Sequence, residues 1–482
     1  MAIKKLQYKY LVAVIYICVL FLDRMDITIV NIAMPTFAKV FDVAITKTEW
    51  ISTGFLMSLA IVIPISGWLG DKFGYKKIFI LGTIIFTIGS LLCACAWSLS
   101  SLVIFRVLKG FGGGILVPVG MAMTYRVFSP AEYSKAASYT LMPTLVAPAI
   151  APTFGGFVLE HFSWRWIFLF NIPICLLAIT LSTVYLKEDK LKFTHNLDWF
   201  GFFLSAIGLA SLLYTFSRVG HFGIGDELVW VCLVIATFAM GIFIFWENIH
   251  PHPLIDLKFF KIPLFVQANL IQFCLQITHF GSLFIIAIYL QIAVGMTPLH
   301  SGLAMCLQPI GSIMLLPIVP KIFNRFGPKY LIFWGLIGLS IMTYLIPKIK
   351  VESDYVFAAG LLWVRGLLLG LINAPIQASV LFNINKEDAS RASSVFNAGR
   401  QIAISFGVAL SSLVLASGFR EFNITSNELL LDKTVLVIFE RVFLLLSGIS
   451  FLAVFITFTI NNKQILAKLE TSQSDGKKNK QK

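Results

Sequence analysis

The chain of 482 residues is 58% hydrophobic and 13% charged, with a mean hydropathy of +0.85, whereas soluble domains are about 45–50% apolar and about 25% charged. This composition excludes an ordinary soluble globular domain and places the chain in a bilayer. The net charge of +14 does not indicate a nucleic-acid partner, because the basic residues are spread over short connections and the tail at 463–482.

About 20 apolar residues are needed to cross the hydrocarbon core as a helix, and the chain offers fourteen such segments. They run 8–34, 48–69, 77–97, 101–124, 136–158, 165–186, 197–217 and 229–247, then 264–290, 300–320, 329–347, 355–382, 394–418 and 434–460. The first follows Lys4, Lys5 and Lys9 as a signal sequence would, but its length makes it a retained helix. Asp23, Arg24 and Asp26 lie near its middle. Ionisable groups at membrane depth are costly and mark a bundle interior. The two carboxylates are three residues apart and share a helix face, while Arg24 points about 160° away from Asp26. Burial and a nearby cation act oppositely on a carboxyl, so a change of surroundings switches it between proton uptake and release. Asp23 and Asp26 are therefore the leading proton carriers, and Arg24 and Asn31 are assigned to a polar cavity wall.

Between the second and third segments stands GWLGDKFGYKK, at 67–77, and PKIFNRFGPKY returns at 320–330 between the tenth and eleventh. Gly67 precedes Asp71 by one helical turn, Gly74 permits a tight reversal, and Lys76 opens the next helix. An Asp at such a helix end, among basic side chains, forms a charge-linked conformational latch. The fourth segment holds Arg106, and Lys109, which is expected to reach toward the membrane surface. Its Gly110, Gly112, Gly113 and Gly114 follow no strand and read as close helix packing rather than a phosphate loop. In the ninth segment Asn269, Gln272, Gln276 and His279 share one face and read as ligand-facing. The 253-residue offset between the two turns places His279 opposite Asp26. Arg365, Glu440 and Arg441 are weaker candidates. The seven cysteines, Cys18, Cys93, Cys95, Cys175, Cys232, Cys274 and Cys306, lie in apolar stretches without C-x-x-C pairs. They read as packing residues, and neither a metal nor a cofactor is expected.

With both termini in the cytoplasm, 24 of the 38 Lys and Arg residues fall on the termini and cytoplasmic connections, against 8 on the outer ones. The positive-inside rule favours that orientation. The repeated turn divides the chain into a six-helix half at 1–186, two inserted helices at 187–262, a second six-helix half at 263–462 and a basic disordered tail at 463–482. The fold class is an all-α polytopic membrane protein with 14 transmembrane helices, two halves in parallel repeat.

The turn GWLGDKFGYKK resembles the signature between helices 2 and 3 of the major facilitator superfamily, with Gly67, Leu69, Asp71, Lys72, Gly74 and Lys76 on pattern and Tyr75 where Arg is usual. MDITIVNIAMP at 25–35, LVIFRVLKGFGGG at 102–114 and SWRWIFLFNIP at 163–173 resemble motifs of its fourteen-helix drug:proton antiporters. In that comparison Asp26 is the signature acid of helix 1, and the resemblance implies that Arg106 takes part in proton coupling. Helix 5 departs from the antiporter pattern but keeps small residues and prolines, so Pro148, Pro152, Gly155 and Gly156 are expected to form a kinked, leak-tight hinge.

The resemblance implies a proton-coupled antiporter, not an enzyme, that exports amphiphilic or cationic small molecules by alternating access. Its partners are protons, the small-molecule substrate, the lipid bilayer of the inner membrane and, as a further expectation, a periplasmic adaptor protein. The alternatives are a dedicated metabolite or siderophore exporter, or an uptake symporter on the same fold. A membrane-embedded sensor or enzyme fits less well, for want of H-E-x-x-H, G-x-S-x-G or an appended soluble domain.

Overall fold

The structure, a computed structural model, describes residues 2–128, 133–188, 197–251, 253–254, 257–315, 317–349, 355–381, 384, 389–422, 433–462 and 465–466. Among them there is no strand. In chain order the helices are α1 (Ala2–Val40), α2 (Glu49–Phe73), α3 (Tyr75–Ala94), α4 (Leu99–Val127), α5 (Tyr133–His161), α6 (Trp166–Leu169), α7 (Asn171–Tyr185) and α8 (Trp199–Phe222). There follow α9 (Glu227–Ile249), α10 (Pro263–Ile288), α11 (Pro298–Leu315), α12 (Val319–Phe326), α13 (Pro328–Leu345), α14 (Tyr355–Leu381), α15 (Ala389–Glu421) and α16 (Lys433–Phe458). Helix underlies each of the fourteen expected segments. Among the described residues ten helices are long and apolar enough to cross a membrane, or eleven if the bent pair Ile45–Ile63 and Ile65–Phe73 is one span.

Local chemistry sets several ends. Gly74, at φ 95°, stops α2 and starts α3 within one residue, a conformation that disfavours side chains with a Cβ. Ser98 caps α4 through a reciprocal bond with Ser101, while Asp198 and Asp226 cap α8 and α9. The expected tenth segment is broken where Pro317 interrupts the ladder between α11 and α12. The second copy of the repeated turn therefore rides on the short helix α12, whereas the first ends the long helix α2.

The end of the bundle where α1 begins and α16 finishes is here called proximal, and the other end distal. In the first half α4 packs against α2 and α3, and α1 against α5. In the second half α10 packs against α15 and α16, and α14 against α11 and α13. Small residues let these helices approach: a Cβ on Gly112 would meet the Phe86 backbone nitrogen at 2.6 Å and the Gly82 carbonyl at 2.8 Å. Because the obstacles are backbone, Gly112→Ala is expected to lose about 1–3 kcal/mol. A lowered thermal midpoint of the purified protein checks this, and an unchanged midpoint would remove Gly112 from the α3–α4 contact.

Helix α5 packs on α11, α2 on α15 and α1 on α10, joining the two halves. Their ties lie toward the distal end. Gln291 donates to the Ile32 carbonyl at 3.0 Å, Leu299 N–H to Glu160 at 3.0 Å, and Ser412 to the Thr46 carbonyl at 3.3 Å. The inserted pair α8–α9 lies against this bundle, with α8 touching both α15 and α2.

Candidate functional site

Asp26 is enclosed by cations from one neighbouring helix. Arg106 and Lys109, both on α4, contact its two carboxylate oxygens, and all three side chains are buried. The three-residue spacing on α4 puts the two basic groups on the same face, turned toward α1. Arg106 also donates through Nε to the Ile51 carbonyl of α2 at 3.0 Å, and its guanidinium lies 4.1 Å from the Phe55 ring centroid. Lys109 sits 4.6 Å from the ring centre of Phe86, and Asn171 of α7 donates to Asp26 at 3.4 Å. With Asp26 ionised the trio carries one positive charge in excess. The expectation that Lys109 extends to the membrane surface is overturned: its side chain is fully buried because a carboxylate lies within reach of the ammonium.

Asp23 lies one turn earlier along the same contact, close to Gly113 of α4, where an added Cβ would stand 3.0 Å from its carboxylate. It is fully buried and neither oxygen has a hydrogen-bond partner among the described residues. Its nearest cation is Arg24, at 3.7 Å. Arg24 is half-buried, and its face of α1 continues through Ile27 and Asn31. Ile27 and Asn31 line a small cavity with Ser52, Phe55, Leu56, Arg106, Phe280 and Val408, so it borders both halves and touches the charge cluster.

The second half answers Arg106 with Arg365, and Asp26 with neutral groups. Arg365 of α14 is fully buried and donates to Gln308 at 2.6 Å, Ser282 at 2.7 Å and Thr343 at 3.3 Å. His279 meets Gln308 at 3.3 Å and so joins this polar knot. Gln272 and Gln276 are buried on the His279 face with unpaired amide atoms, and Asn269 bonds its own helix at the Phe265 carbonyl. Glu440 and Arg441 are exposed, and Arg441 pairs with Glu421 at 2.6 Å, which takes both away from the interior.

At the proximal turn Asp71 accepts from Tyr75 at 2.7 Å and pairs with Arg126 at 3.1 Å. Arg126 also stacks over the Tyr75 ring, 4.0 Å from its centroid. Tyr75, where the resembling motif has Arg, thus takes a place in the latch. Lys76 reaches the Thr183 carbonyl at 2.8 Å, and Gly67 has open space beside it. Asn324 of the second copy lies outside the side chains described. In α5, a Cβ on Gly155 would meet Ile29 of α1 at 2.7 Å, and one on Gly156 the Pro298 carbonyl at 2.5 Å. The Pro152 carbonyl stands where a Cβ on Gly302 of α11 would be, while Pro148 is half-buried nearby on α5.

The family model for the Major Facilitator Superfamily matches residues 16–266 and 268–480. The chain belongs to that superfamily. Among its relatives, a multidrug resistance protein B homolog of Mycobacterium tuberculosis (strain ATCC 25618 / H37Rv) is 30% identical over 419 residues, covering 85% of this chain and 77% of that protein. The putative multidrug resistance protein MdtD of Salmonella typhimurium is 30% identical over 395 residues, covering 82% and 84%. Among solved structures, the POT family transporter PepTSo superposes with a TM-score of 0.65 at 12% identity, over 95% of this chain and 98% of that one. The xylose transporter XylE from E. coli, in a partially occluded inward open conformation, gives 0.61 at 11%, over 94% and 99%. These two likenesses concern the fold alone.

Within this superfamily chain, the interior polar groups that the sequence did not single out include buried Gln308 and Glu49 and half-buried Arg400. Gln308 is one amide in an apolar run, Arg400 one of six basic residues within spans, and Glu49 the single acid at the start of the second segment. Glu49 is in fact buried at the distal start of α2, beside Ser217 of α8 and Ser412 of α15.

Proposed function

We propose that the chain is a proton-coupled antiporter that exports amphiphilic small molecules by alternating access, seated in the cell membrane with both termini in the cytoplasm. The observation that carries this reading is the buried Asp26, held by Arg106 and Lys109 beside a cavity shared by the two halves. The names of the multidrug relatives support it.

Ionised Asp26 ties α1 to α4 and, through Arg106, to α2. Once the outer side has opened, a proton from outside cancels the carboxylate and releases that tie. Ile32, which accepts from Gln291 across the distal contact, lies six residues along the same helix, about 9 Å away. A shift of α1 on protonation therefore reaches the contact that must close again on the distal side before the proton leaves to the cytoplasm. With the termini cytoplasmic, the distal ties make this state closed to the outside. The halves at 1–186 and 263–462 rock against each other about the cavity.

Efflux from cells expressing the protein, compared with and without a proton uncoupler, tests the coupling. Uncoupler-sensitive export is expected; uncoupler-sensitive accumulation would instead identify uptake. The Asp71–Arg126 pair bears on the switch rather than on binding. As a partly exposed pair it is worth about 0.2–1 kcal/mol. Asp71→Asn is expected to slow turnover up to about five-fold and to alter cysteine labelling from the two sides, with substrate affinity retained. Identical labelling in variant and parent would end the latch reading.

A further inference from the structure

Two arginines of the interior take no part in the Asp26 cluster, although Arg24 lies 3.7 Å from Asp23. Arg24 shares a face of α1 with Ile27 and Asn31, and Arg400 shares a face of α15 with Ile404 and Val408. Ile27, Asn31 and Val408 line the small cavity together with Phe280 of α10. Arg24 and Arg400 therefore stand one and two turns below it, toward the proximal end, on helices from opposite halves. They are close enough for their charges to interact, and Arg400 acts on His279 as well. Both are half-buried, and the Nε of each lacks a hydrogen-bond partner among the described residues.

Around them the amides are also unsatisfied. Gln272, Gln276 and Gln401 are 1%, 2% and 5% exposed, and each has at least one unpaired amide atom. The acids do not balance the bases. Among the described residues, Arg24, Arg106, Lys109, Arg365 and Arg400 of the interior are set against Asp23 and Asp26, an excess of three positive charges with both acids ionised. Counting Glu49, at the distal start of α2, leaves an excess of two.

We infer that the space between α1, α10 and α15 is an oxyanion site, and that the exported amphiphile carries a carboxylate or sulfonate on an apolar body. A low-dielectric cavity with excess positive charge concentrates anions, and a guanidinium fork matches an oxyanion in two places. Phe55, Phe280, Ile27 and Val408 supply the apolar wall above it. The sequence reading admitted cationic substrates; the charges of the assembled interior select the opposite sign. This inference rests on the antiporter reading and adds a consequence to it. Exporting a monovalent anion for one entering proton moves two charges in the same sense, so the membrane potential alone drives it. One-for-one exchange of a monovalent cation for a proton moves no net charge.

The test compares naphthalene-2-sulfonate with (2-naphthyl)trimethylammonium, two probes of one ring system and opposite charge. Binding to the purified full chain in detergent is measured by calorimetry, and transport is measured in vesicles under a potassium–valinomycin potential with no pH difference and, separately, under a pH difference. The sulfonate is expected to bind at least ten-fold more tightly than the ammonium. Arg24→Gln and Arg400→Gln should each weaken the sulfonate at least ten-fold and spare the ammonium, while the Lys variants retain most of the affinity. The wild-type comparison needs no variant to fold. Ammonium binding as tight as that of the sulfonate overturns the inference, as does sulfonate affinity unchanged in both Gln variants. Proton-driven export of the ammonium alone would sink the anion site and keep the antiporter. Tight sulfonate binding without movement under any gradient would keep the site and sink the antiporter.

Discussion

Replacing Asp26 by Asn is expected to abolish proton-driven export while leaving membrane insertion and the helical fold in place. The amide keeps the size of the side chain and still accepts hydrogen bonds, but it neither titrates nor carries charge. Arg106 and Lys109 are then left buried without a counter-ion, so thermal stability should fall by about 3–5 kcal/mol. Uncoupler-sensitive efflux should drop to the level of cells lacking the protein. Normal efflux by the variant would transfer the proton to Asp23, which is buried one turn away and pairs with Arg24 at 3.7 Å. Asp23→Asn separates the two, since an altered pH profile there would show a shared proton.

The second large effect is expected at Arg106. Removing one of two cations beside a carboxylate makes its proton harder to lose. In Arg106→Ala the cycle should therefore stall over a wider range at low pH, and half-maximal transport should move upward. Lys109 still contacts the other oxygen, so activity is reduced rather than lost at high pH. Arg106→Lys keeps a charge but gives up the fork that also holds the Ile51 carbonyl, and should shift the profile less. Lys109→Met is expected to resemble Arg106→Ala. The check is the pH dependence of efflux from vesicles across the series. A profile unchanged in Arg106→Ala and Lys109→Met would reduce the cluster to helix packing.

Much of this arrangement was legible in the chain. A carboxylate at 26 within an apolar run and an arginine at 106 in another are costly enough at membrane depth to announce each other. The repeated turn gave the two halves, and Gly74 its reversal. Lys109 was misread because its reach to the surface was weighed without the carboxylate that another helix brings to it, although its spacing from Arg106 already put both on one face. The knot of Arg365, Gln308, Ser282 and His279 assembles from three helices, α14, α11 and α10, and no spacing within one helix reveals it. Pro317 did carry a readable signal for the break before α12. Glu49 and Arg400 went unremarked because each is a single charge in its own segment, and only packing shows which of them is buried among partners from elsewhere.

The claim that protons enter through Asp26 in exchange for substrate is tested most directly by proton movement itself. The protein is placed in vesicles with an imposed pH gradient and an entrapped pH-sensitive dye, and a compound exported in the uncoupler assay is added on the side from which exchange would discharge the gradient. The wild-type protein should collapse the gradient faster than empty vesicles do, in proportion to the compound added, and Asp26→Asn should match the empty vesicles. Equal collapse by wild type and Asp26→Asn would contradict the account.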